Sequence, residues 1–166
     1  MAKRGSSPRQ FRHPSSASFL ASAKDFVQGA QTLKDQGQEL TAAFLVGWVF
    51  EVMLKSYIVH ACIRTADDSS LHTHDVLTLW DLAAQGADFP LAAKPPDWAA
   101  NVSSTHNNFL IRYRPWDINA WSLPGKTHYE ELQRMVDAVD AIVKGGPTPT
   151  AALPISVTGQ GTVSGS

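Results

Sequence analysis

Apolar residues are densest between Leu40 and Ile63, where a single acid, Glu51, and a single lysine, Lys55, stand among them. Phe44, Leu45, Trp48, Val49, Val52, Met53, Leu54, Tyr57 and Ile58 cover most of the circumference that a helix here would have. A helix apolar nearly all round is either a central core helix or a membrane span. A span needs about 20 apolar residues with few charges, and the uninterrupted run from Ala42 to Phe50 stops at Glu51. The pattern therefore predicts a buried central helix and no membrane segment.

The flanking segments repeat every three to four residues. Ser15 or Ser16 is placed to cap a helix running to about Gln36, with Phe19, Leu20, Ala23, Phe26, Val27, Ala30 and Leu33 on one stripe. Gly37 supplies its stop, and the short turn that follows predicts antiparallel packing against the central helix. Residues 64–73 form a polar loop. Thr73 is expected to cap the next helix, with Asp75 in its first turn and Gly86 at its end. Prolines 90, 95 and 96 break the chain before a fourth helix over Asp97 to Ile111. A last helix is expected from about His128 to Val143, closed by Gly145 and Gly146. No hairpin pattern or internal repeat is present. The expected fold is all-α, about five helices over residues 15–145. A flexible basic arm (1–14) and a disordered Gly/Ser/Thr/Pro tail (146–166) flank it.

Composition narrows the function classes. A net charge of -1 and a pI near 6.6 give no global signature for nucleic acid, so any such binding must use a local patch. The single cysteine, Cys62, rules out an intramolecular disulfide and is expected as a small buried hydrophobe on the central helix. With no disulfide and no secretory apolar run, the cytoplasm is the expected compartment. Walker, dinucleotide-fingerprint, nucleophile-elbow and paired CxxC signatures are all absent.

Three groups carry candidate chemistry. Glu51 and Lys55 lie one helical turn apart with the acid first, as pairing prefers. They are either a structural ion pair where the helix surfaces or the edge of a functional groove. His72, His74 and Asp75 are close in sequence, but no further ligands are fixed by spacing, so neither a metal nor a cofactor is expected there. Arg112, Tyr113 and Arg114 precede Pro115. Two guanidiniums around an aromatic ring suit phosphate oxygens and a stacked base, or they simply answer a helix C-terminus.

Taken in order, Glu51-x-x-x-Lys55, then His74-Asp75-Val76-Leu77-Thr78-Leu79, then Arg112-Tyr113-Arg114-Pro115 resembles the HEPN domain family over residues 16–144. That resemblance implies an up-and-down helical bundle, often a homodimer, with a polar groove for nucleotide or RNA. Glu51, Lys55, His74, Arg112 and Tyr113 match its recurrent polar positions, and Arg114 is inserted before the proline. Many members are metal-independent ribonucleases with an arginine, four to six residues, then a histidine. Here three residues separate Arg9 from His13, seven separate Arg64 from His72, and His106 precedes Arg112. The first expectation is thus a nucleotide- or RNA-binding domain without the usual ribonuclease motif. Arg112 and Arg114 would hold phosphate, Tyr113 would stack, and Glu51, Lys55 and His74 would shape the groove. The second is a toxin-type metal-independent ribonuclease, as in toxin–antitoxin pairs, with His74 or His106 as base and Arg112 stabilising charge. The third is a structural subunit that pairs with a nucleotidyltransferase-like partner through exposed members of Trp80, Trp98, Trp116 and Trp121.

Overall fold

Ser15 opens the first helix as its N-cap, its hydroxyl accepting the Ser18 N–H at 3.1 Å. Five α-helices follow among the described residues of a computed structural model, which are 14–107 and 126–145. They are α1 (Ser16–Asp35), α2 (Glu39–His60), α3 (Val76–Ala83), α4 (Asp97–His106) and α5 (Lys126–Val143), with a 3₁₀ turn at Ser69–His72. The described residues contain no strand. The chain is all-α, a helical bundle.

Helix α1 ends where Gly37 takes φ +74°, and the Gln38 N–H reaches back to the Leu33 carbonyl at 2.8 Å. Only glycine adopts that backbone without strain, and the closed loop turns the chain straight into α2. Helix α2 then packs against α1, α3, α4 and α5, while α1 also meets α5 and α3 meets α4. Every residue from Val49 to Ile58 is buried. Nearly three turns with no exposed face explain why the hydrophobic pattern there has no polar side. Phe50, Met53, Leu54, Tyr57 and Ile58 fill the centre with Trp80, Leu79 and Val76 from α3 and Leu132, Val136 and Val139 from α5. Each such side chain contributes roughly 1.5–3 kcal/mol by leaving water. Thr41–His60 is long and apolar enough to cross a membrane by composition alone, but 78% of that apolar window is covered by the rest of the fold.

The structure corrects two details. Cys62 is exposed and lies beyond the end of α2, not within it. It takes φ 56° at the position where a helix reverses, and the Ile63 N–H bonds the Ile58 carbonyl at 3.0 Å. The closing turn, normally a glycine's place, holds the thiol away from the core. The cap of α3 is Asp75 and not Thr73. The Asp75 carboxylate accepts from the Leu77 N–H at 3.1 Å and from the Thr78 hydroxyl at 2.8 Å. Thr73 instead accepts the Asp75 N–H at 3.0 Å, so His74 stands just before the helix. The basic arm through residue 13, the tail from 146, and Trp116 and Trp121 lie outside the described residues.

Candidate functional site around Glu51

One stripe of α2 departs from the core pattern. Gly47, Trp48, Glu51 and Lys55 follow one another up the same helix face. Because that face is covered, both charged groups are interior, with Glu51 3% and Lys55 7% exposed. The Lys55 ammonium donates to Glu51 Oε1 at 2.6 Å. The other carboxylate oxygen, Oε2, meets two imidazoles: His74 Nδ1 at 2.9 Å and His106 Nε2 at 2.6 Å. An ionised carboxylate only accepts hydrogen bonds, so His74 donates from Nδ1–H and His106 from Nε2–H. The two rings are not equivalent. The His106 side chain is 4% exposed, whereas that of His74 is 41% exposed.

Three separate elements deliver these groups. His106 is the last residue of α4, and it reaches Glu51 because position 47 has no side chain. Trp48 stands edge-on to both imidazoles, with ring centroids 4.8 Å from His106 and 5.8 Å from His74. His74 is held through its neighbour. Asp75 caps α3 and also accepts the Ser103 hydroxyl of α4 at 2.8 Å, which ties the segment bearing His74 to the helix bearing His106.

The electrostatics follow from this packing. Burial by itself pushes the Glu51 carboxyl up. The hydrogen bonds from His106, Lys55 and His74, together with the charge of Lys55, outweigh it and hold the group down at about 2. Glu51 is thus a fixed anion serving three basic groups. Its ligating oxygen and the two imidazole nitrogens all lie within 4.8 Å of one another, a set able to hold a metal ion.

Glu51, Lys55 and His74, named from sequence, come together in one network. His72 does not join it and is exposed. Arg112, Tyr113 and Arg114 lie outside the described residues. His106, considered from sequence only as an alternative base, is a full member. The signal that could have found it is Gly47, a lone small residue one turn before Glu51, where a second element can approach the helix closely. A groove of about 930 Å³ between α1 and α5, lined by Lys24, Gln28, Gln31, Tyr129 and Arg134 among others, is separate from these residues. Compared with protein-family models, curated proteins and solved structures, the chain matches none of them.

Proposed function

We propose that this domain binds nucleotide or RNA at the Glu51 network, in keeping with the HEPN-like order of its motifs. One observation carries the reading. Polar motifs far apart in sequence converge on a single buried carboxylate, although a bundle of this kind folds with apolar residues alone. Lys55 and two imidazoles gather three basic side chains around one carboxylate. Such a site attracts phosphate. Arg112 follows His106 by six residues and Arg114 by eight, so the extended chain spans at most ~20 Å to the first and ~28 Å to the second. In this reading the two arginines hold phosphate oxygens and Tyr113 stacks on a base.

Fluorescence anisotropy with a short labelled oligoribonucleotide tests this. Arg112→Ala with Arg114→Ala should abolish binding and leave the melting curve nearly unchanged. Binding that survives the double substitution overturns the assignment. A second reading, RNA cleavage, draws on the Glu51–His74 bond. A buried carboxylate orienting a partly exposed imidazole is the arrangement of a general acid–base pair. His74 is then the group a substrate reaches, and RNA cleavage lost in His74→Ala is its mark.

A further inference from the structure

We infer that Glu51, His74 and His106 form a binding site for a divalent transition-metal ion of the zinc type. The donor set is two imidazole nitrogens and one carboxylate oxygen, drawn from three different elements of the fold. Two histidines with a carboxylate are a known zinc set that leaves a fourth position for water or substrate. The geometry is within reach of it. Donors around tetrahedral zinc stand about 3.4 Å apart, and here the two imidazole nitrogens are 2.9 and 2.6 Å from Glu51 Oε2. The two N···O distances need to lengthen by less than about 1 Å, and the three donor atoms already lie within 4.8 Å of one another. His74, 41% exposed and carried on a short non-helical segment, gives the ion its way in.

The ion takes the lone pairs of His74 Nδ1 and His106 Nε2, so in the bound state each imidazole carries its proton on the other ring nitrogen. Lys55 stays on Oε1, where it fixes the carboxylate as an outer partner of a metal ligand does. It also cancels the carboxylate charge. A site of two nitrogens and one neutralised oxygen is poor for magnesium or calcium, which need several oxygen ligands, and suits zinc or cobalt. This set is not the one suggested by spacing, because His72 is exposed and Asp75 is occupied as a helix cap. The inference goes beyond the nucleotide reading and does not depend on it. It competes with the cleavage reading, since a metal-bound His74 keeps its proton on Nε2 and is not a base.

The test uses the full chain, stripped with chelator and titrated with cobalt(II) alone, no nucleotide being present. We expect saturation at one ion per chain, with the visible bands of a low-coordinate cobalt site. His74→Ala should weaken binding by about tenfold or more, since even outer-shell changes commonly cost that much, and His72→Ala should leave it unchanged. Absence of the bands, or a loss smaller than tenfold in His74→Ala, overturns the site. Should His74→Ala fail to fold, the imidazole nitrogen resonances of the wild-type chain decide. Zinc must move those of His74 and His106 together. A response confined to other histidines refutes the assignment.

Discussion

Gly47 lies directly beneath His106: a Cβ added at position 47 would come 2.6 Å from the Nδ1 of His106 and 2.8 Å from its Cβ. The second contact matters more, because the Cβ of His106 cannot swing aside without moving α4. Helix propensity alone says that Gly47→Ala stabilises α2 by about 1 kcal/mol. The overpacking says the reverse, and typical costs of about 1–3 kcal/mol are expected to win. Urea denaturation of Gly47→Ala should show a net loss of stability. A gain would mean that α4 does not sit against α2 as described.

Removing the Glu51 charge leaves Lys55 buried without its counter-ion. Breaking such a pair from one side costs about 3–5 kcal/mol, so Glu51→Gln should be among the more damaging single changes in the domain. The pH dependence gives a finer check. Hydrogen bonds and the Lys55 charge hold the Glu51 carboxyl at about 2, against an ordinary value of 4.5. A depressed acid contributes stability that is complete above the ordinary value and is lost as pH falls through the native one. The stability gap between wild type and Glu51→Gln should therefore narrow from pH 4.5 down to about 2. A gap unaffected by acid would contradict this assignment of the charge.

Asp75 joins two helices through one carboxylate. Asp75→Ala removes the cap of α3, worth about 0.5–2 kcal/mol, and strands the buried Ser103 hydroxyl at further cost. Asp75→Asn keeps an acceptor for the Leu77 N–H and should recover most of the cap. Equal melting temperatures for the two variants would argue against the cap.

Tyr129 carries a buried hydroxyl with no hydrogen-bond partner among the described residues. Burial, assisted by the charge of Glu39, pushes it up to about 12. An unpaired buried donor costs about 1–3 kcal/mol, so Tyr129→Phe should be neutral or stabilising by up to that amount. A clear loss in thermal denaturation would show that the hydroxyl has a partner.

Much of this was legible in the chain. The stripe of α1, a serine cap at Ser15 or Ser16 and the Gly37 stop could be read directly, because capping and left-handed turns depend on local chemistry. The burial of α2 followed from its pattern, and the Glu51–Lys55 pair from a four-residue spacing. Three features were not legible, each for a physical reason. Thr73 and Asp75 are both good caps, and tertiary packing, through Ser103, favours the second. Cys62 looked like core because composition does not reveal that the helix ends at His60 and reverses through a residue other than glycine. His106 lies 55 residues from Glu51, so only the folding of α4 onto α2 brings them together.

The proposed nucleotide or RNA site is the Glu51 network, in which His74 is the exposed imidazole. Thermal-shift measurements of the full chain against nucleotides and short RNAs, with His74→Ala beside the wild type, test it most directly. A ligand that binds only the folded state raises the melting temperature by mass action. The expected result is a concentration-dependent rise for at least one nucleotide or RNA in the wild type, absent in His74→Ala. No rise for any of them, or an equal rise in both proteins, would contradict it.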